Sequence, residues 1–244
     1  MTYTKLELFS QPSDDLTLWR YMDLSKLLAL LETKSLYFPR ADTFEDPYEG
    51  TLSNMTVNVM RAEGKKDPTD EDAMKLYLQG LKQQKRQMYI SCWYASKHES
   101  AAMWKLYLQG TDGVAIKTSY TSLVNVLESS DLHIRTTMIR YVDYESNEIP
   151  LDSIFSPFVH KRISFEHEQE LRAIIWAEEE QNRRKITENA LGVPVKIDLD
   201  KLIQAIHVSP SAPQWFGDVV LTVMKKYGMS CPVECSNLYK RPIY

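Results

Sequence analysis

Apolar and polar positions change period several times along the chain. Leu18-Trp19-Arg20-Tyr21-Met22 predicts a strand, and Asp23 caps a helix whose Leu24, Leu27, Leu28 and Leu31 recur at helical spacing. Ser35-Leu36-Tyr37-Phe38 predicts a second strand, stopped by Pro39. Residues 51–86 carry helical periodicity with a break at Gly64-Lys65-Lys66-Asp67-Pro68, and read as a helical insertion. Met88 to Trp93 predicts a strand, and Ser96-x-x-Glu99 reads as a capping box opening a helix to Gln109, closed by Gly110. Strand 113–117, a helix near 119–128, a long strand 132–143 and a helix at 151–159 follow. Glu170-Leu171-Arg172-Ala173-Ile174-Ile175-Trp176 is the strongest strand signal, and charged residues 178–185 read as a hairpin tip or surface loop. Strands at 193–197 and 204–208, a helix around 213–227 and a short final strand complete the pattern, with residues 1–16 a loose polar arm. The expected fold is α+β: one compact domain, 1–244, with a central mixed sheet and the insertion at about 51–86.

Composition removes several classes of function. Among 244 residues, 29 Lys+Arg against 33 Asp+Glu leave a net charge of -4, so a general grip on nucleic-acid backbone is not written into the total. The eight glycines form neither a dinucleotide-binding fingerprint nor a phosphate loop, which argues against a Rossmann dehydrogenase or a P-loop NTPase. No apolar run approaches the ~20 residues that span a bilayer, and the first residues lack the build of a signal peptide. Cys92, Cys231 and Cys235 make an odd count without a Cys-x-x-Cys pair, so a reduced, cytoplasmic setting is expected. Cys231 and Cys235 are near enough in sequence to bridge, while zinc would need two further ligands.

The densest chemistry is Phe165-Glu166-His167-Glu168-Gln169-Glu170-Leu171-Arg172. On a strand, Glu168, Glu170 and Arg172 would share a face. Two carboxylates there raise each other's pKa unless a cation or a hydroxyl-rich ligand relieves them. A sugar diol, or a cationic sugar-like transition state, suits such a pair; a salt-bridged strand edge with Arg172 as partner is the structural alternative. Arg20 is a permanent charge in a largely apolar strand, either an ion-pair partner for Asp46 or Glu49 or a phosphate and ribose ligand. Asp46 in Phe44-Glu45-Asp46-Pro47-Tyr48-Glu49 is restricted by Pro47, so an ordered turn is expected there, with Asp46 or Glu49 paired to an arginine. Trp93 and Tyr107 offer faces for a flat base or belong to a core. Cys92 is a nucleophile only with a fixed base beside it.

The order of these pieces resembles the bacterial family called domain of unknown function 2971. WRYMDLSKLLALLETKSLYFPRADTFEDPYEG, SCWYASKHESAAMWKLY with GVAI, and KRISFEHEQELRAI carry the likeness, from about Trp19 to Trp176. More distantly, Leu-Trp-Arg-Tyr, an amphipathic helix and Leu-Tyr-Phe are similar to the opening of ADP-ribosyltransferase-like folds. That resemblance implies NAD as substrate, held by Arg20 with Tyr21 on the first strand. It implies Ser91, Trp93 or Tyr107 beside the nicotinamide. It also implies Glu170 of the Glu168-x-Glu170 pair as the catalytic carboxylate, with Glu168 positioning the acceptor. No Ser-Thr-Ser motif is present, so the middle element is unassigned. Asp46, Glu49 and Arg172 are expected to support the site.

The leading expectation is an NAD-using ADP-ribosyltransferase-like enzyme, a toxin or phage-defence effector, that needs no metal, takes a nucleotide small molecule and has no membrane partner; the acceptor, protein or nucleic acid, is not specified. The alternatives are a non-enzymatic nucleotide- or partner-binding module, and a metal-dependent nuclease using Asp46, Glu49, His167 and Glu168.

Overall fold

The computed structural model describes residues 9–64, 68–108 and 110–243. Strand β1 (Thr17–Asp23) runs into helix α1 (Leu24–Thr33), where the Asp23 side chain accepts the Lys26 N–H at 2.8 Å, as an N-cap must. Strand β2 (Ser35–Pro39) and a short 3₁₀ turn lead to helices α2 (Asn54–Gly64) and α3 (Pro68–Lys85). Strand β3 (Met88–Ala95), helix α4 (Ala101–Tyr107), strand β4 (Gly113–Ser119) and helix α5 (Tyr120–Glu128) follow. Next come β5 (Arg135–Met138), β6 (Arg140–Val142), helix α6 (Ser156–Val159), β7 (His160–Arg162) and β8 (Glu170–Trp176). The chain closes with β9 (Gly192–Lys196), helix α7 (Leu199–Leu202), β10 (Ala205–Val208), helix α8 (Gln214–Lys226) and β11 (Val233–Cys235).

The fold is α+β with a large mixed sheet, ordered β11-β10-β4-β1-β3-β8-β5. The pairs β1/β3, β1/β4, β4/β10 and β5/β8 are antiparallel, whereas β10/β11 is parallel. By its internal contacts the chain forms two compact units. One holds the described residues up to Gln11 with Phe38–Cys92 and Leu132–Val193. Its core is Met88, Ile90, Phe155, Phe158, Val159 and Ile174. The paired helices α2 and α3 cover Leu52, Leu81, Tyr144 and Ile149. The other holds Pro12–Tyr37, Trp93–Asp131 and the residues from Pro194 on. There α1 buries Leu27, Leu30 and Leu31, and α8 buries Phe216, Val220 and Met224 at four-residue steps.

Five expectations are corrected. The α4 N-cap is Ser100, whose hydroxyl accepts the Met103 N–H, because Ser96 is still tied to β1 through its N–H to the Thr17 carbonyl. The helix ends at Tyr107, where Leu108 is extended, short of Gln109, which lies outside the described residues. The long strand 132–143 divides at Ile139, since β5 pairs antiparallel with β8 while β6 pairs parallel with β7 in a separate ladder. The helix expected over 151–159 is confined to α6, with Pro157 in its first turn. Ser10 of the expected polar arm bridges to Met138, and the Gln11 amide donates to the Thr136 carbonyl at 2.7 Å. Lys65 to Asp67, the centre of the expected helix break, lie outside the described residues.

Candidate functional site: a buried carboxylate cluster

Three short elements of the first unit aim charge at one point. The strand β8 begins at Glu170, immediately after a 3₁₀ turn (Ile163–Glu168) and a left-handed residue, Gln169. Glu168 is therefore not on the strand with Glu170 and Arg172, and the expected three-residue face is corrected to Glu170 and Arg172 alone. Glu168 rejoins them through Lys161 of β7, a cation the sequence reading did not assign.

Arg172 is 0% exposed and makes four hydrogen bonds within the cluster. Its Nε reaches Glu170 Oε1 at 2.9 Å and its Nη2 reaches Glu170 Oε2 at 3.0 Å, a bidentate pair. Its Nη1 donates to Glu49 Oε1 at 2.5 Å and to the Phe158 carbonyl at 2.8 Å. Lys161 Nζ donates to Glu168 Oε2, lies 3.4 Å from Glu170 Oε2 and 3.9 Å from Glu49 Oε2, and sits over the Phe165 ring at 4.9 Å. The Glu170 N–H donates to the Tyr141 hydroxyl at 2.8 Å.

Glu49 arrives on the expected turn. The Tyr48 N–H bonds Asp46 Oδ1 and the Glu49 N–H bonds the Asp46 carbonyl, each at 3.0 Å. The next residue, Gly50, takes φ +62°, and a Cβ there would lie 2.5 Å from Phe158 Cε1. Glycine thus lets the turn approach α6 closely enough for Glu49 to reach Arg172. Asp46 pairs with Arg162 at 2.8 Å, and that guanidinium covers Tyr48 at 4.3 Å. The expected carboxylate–arginine pairing is present, with Arg162 and Arg172 as partners.

Burial works to raise the Glu170 pKa, but the charges of Arg172 and Lys161 outweigh it and bring it down to about 2. For Glu168 burial is the larger influence and the pKa rises despite Lys161. Burial opposes the charge of Lys161, yet Glu170 and its neighbours hold the ammonium pKa above the ordinary lysine value. Burial, followed by the Glu170 charge, pushes the Cys92 thiol well up. Cys92 therefore lacks the thiolate character of a nucleophile. When all five ions are charged, three carboxylates face two cations.

The remaining assigned residues divide between the units. Ser91 is fully buried in the first. In the second, the Arg20 guanidinium lies over Trp93 at 5.4 Å and donates to the Tyr37 carbonyl at 3.2 Å. Tyr21 has the opposite direction on β1: it meets Trp104 edge-on at 4.8 Å, stacks with Tyr107 at 6.5 Å, and its hydroxyl accepts the Ser100 N–H. Arg20 and Tyr21 therefore do not share a face of β1. Among the described residues no group of three or more His, Cys, Asp or Glu could hold a metal ion, and His167 is exposed. No helix among them is long and apolar enough to cross a membrane.

Lys161 and Arg162 were missed because they sit in a three-residue strand too short to show a period. One signal was available: three carboxylates and a single assigned arginine leave charge unbalanced in an apolar setting.

No family model and no curated protein matches the chain, so the likeness to domain of unknown function 2971 gains no support. Among solved structures it is similar to Thermus sp. 2.9 DarT in complex with NAD+, at 11% identity and a TM-score of 0.42, over 93% of this chain and 98% of that one. A second structure, the same protein in complex with carba-NAD+, aligns at 11% identity and 0.40, over 92% and 96%.

Proposed function

We propose that the chain is an NAD-using ADP-ribosyltransferase-like enzyme whose chemistry is centred on Glu168 and Glu170. The observation that supports this reading is the excess negative charge of the buried cluster, with Glu170 held ionised far below neutrality. A fixed anion in a water-poor setting is suited to a cation that develops during reaction. When the nicotinamide–ribose bond breaks, its electron pair leaves with nicotinamide and C1′ becomes an oxocarbenium. Glu170 stabilises that cation, and Glu168 orients the acceptor or water, which loses its proton as the new bond to C1′ forms. Asp46, Glu49 and Arg172 hold the carboxylates in place.

The test is nicotinamide release and label transfer from NAD. Glu170→Gln is expected to slow turnover by about 10²–10³, some 3–4 kcal/mol, with little change in NAD affinity. Glu168→Gln, which removes a carboxylate whose ionisation burial already opposes, supplies the variant that keeps its fold. Wild-type turnover in both folded variants would refute the mechanism. A non-enzymatic binding module is the second reading, favoured by one observation: both Glu170 oxygens are taken by Arg172. NAD binding without nicotinamide release identifies that case.

A further inference from the structure

Both backbone groups of Glu170 are held by the connection between β5 and β6. The β5/β8 ladder ends at Met138 and Leu171, and one step beyond it the Ile139 N–H donates to the Glu170 carbonyl at 2.9 Å. In a continuing antiparallel ladder such a pair exchanges both bonds, so the Glu170 N–H would return to the Ile139 carbonyl. It goes instead to the Tyr141 hydroxyl, at 2.8 Å. A side chain has taken a backbone position at the first residue of β8, the residue that carries the carboxylate. The chain turns away at this point because β6 leaves the large sheet to pair with β7.

The same residue is tied to the counter-ion. In the β6/β7 ladder Tyr141 is the direct partner of Lys161, whose Nζ stands 3.4 Å from Glu170 Oε2. Tyr141 therefore meets both ends of that ion pair: ladder register sets Lys161, and the hydroxyl sets the Glu170 backbone. Arg172 fixes the carboxylate head, and its bonds to Glu170 go to the side-chain oxygens alone. The phenol is half-buried, and burial together with the Glu170 charge raises its pKa above the ordinary tyrosine value, so it stays neutral. A backbone N–H that loses a buried partner seeks another. With phenylalanine at this position the start of β8 relaxes and carries the carboxylate with it. Reacting groups are sensitive to such shifts, a misplacement of ~1 Å costing up to about 10²-fold in rate.

We propose that Tyr141 is a positioning residue for the transferase reaction, holding Glu170 by its backbone at a set distance from Lys161 and acting through that carboxylate. The inference rests on the transferase reading, and the experiment separates the two. Tyr141→Phe keeps the ring, and its melting temperature reports that it is folded. In the nicotinamide-release assay it is expected to lower kcat about tenfold with the KM for NAD nearly unchanged. Added to Glu170→Gln it is expected to lower kcat no further, because the group it positions is already gone. An equal loss in both backgrounds marks general structural support and overturns the proposal. Wild-type kcat in Tyr141→Phe, while Glu170→Gln is slow, overturns it too and leaves the transferase reading standing. If the wild type releases no nicotinamide, or Glu170→Gln is as fast as wild type, it is the role of Glu170 that fails, and urea unfolding near pH 5 and near pH 3 then decides for Tyr141. Glu170 has its folded pKa lowered from 4.5, so its stabilisation is lost as pH falls below that value. A smaller loss on acidification in Tyr141→Phe than in wild type supports Tyr141 as the residue that holds Glu170 within its ion set; an equal loss overturns it.

Discussion

Replacing Arg172 by methionine isolates the electrostatics of the cluster, because methionine fills a similar length of space without charge. The guanidinium is 0% exposed and makes two bonds to Glu170, one to Glu49 and one to the Phe158 carbonyl. Its loss leaves three carboxylates facing Lys161 alone. Removing one partner of a buried ion pair costs about 3–5 kcal/mol, chiefly the penalty of the charge left behind. Against the 5–15 kcal/mol typical of a folded domain, that brings the protein close to its limit.

The effect depends on pH in a direction that can be worked out. Glu170 has its folded pKa lowered from 4.5 to about 2. Its contribution is therefore fully present above about pH 4.5 and is lost as pH falls towards 2; the depression corresponds to roughly 3 kcal/mol. Glu168, with its pKa raised, acts oppositely and offsets part of this on acidification. Urea unfolding followed by tryptophan fluorescence, at pH 7 and near pH 3, is the assay. Arg172→Met is expected to lose about 3–5 kcal/mol at pH 7 and clearly less at pH 3, where the stranded carboxylates bind protons. The double variant Arg172→Met/Glu170→Gln is expected to recover much of the loss. A loss below about 1 kcal/mol at pH 7, or one equal at both pH values, refutes the account of the cluster as a mutually stabilised ion set.

Gly50→Ala is expected to cost about 1–3 kcal/mol in the same assay, because it combines an unfavourable positive φ with a Cβ 2.5 Å from Phe158. The variant should also loosen the Glu49–Arg172 pair that this turn positions. Labelling with a thiol-specific disulfide reagent under native conditions is expected to modify exposed Cys235 first and Cys92 last, since burial and the Glu170 charge suppress the Cys92 thiolate. Fast labelling of Cys92 would refute its placement.

The regular elements were legible where the periodicity was long. Leu27, Leu30 and Leu31 fix the buried stripe of α1, and Leu171 to Ile175 fix β8, because each run exceeds one full period of its element. The short elements were not. Tyr141 and Lys161 pair in ladders of three residues, set by tertiary contact rather than by local preference. The same reason explains the misplaced α4 cap. Both Ser96 and Ser100 are competent caps, and only the bond from Ser96 to Thr17, distant in sequence, assigns the role to Ser100. In the candidate site the carboxylates were legible by their density, whereas their counter-ions came from segments with no motif.

Lys161 decides how Glu170 can act. Arg172 holds both Glu170 oxygens with rigid, planar geometry, so that pair resists rearrangement. Lys161 differs: its ammonium ends a flexible stem, is bonded to Glu168, and stands at 3.4 Å from Glu170. It occupies a position that a developing ribose cation would also favour. Under the transferase proposal, substrate competes with Lys161 for the carboxylates while Arg172 stays in place. Lys161→Met is then expected to raise kcat with little change in the KM for NAD and leave the Glu170–Arg172 pair intact, read as retained acid sensitivity of stability. If Lys161 instead supports the reacting geometry, the same variant lowers kcat at constant KM, and the competition between substrate and Lys161 is refuted.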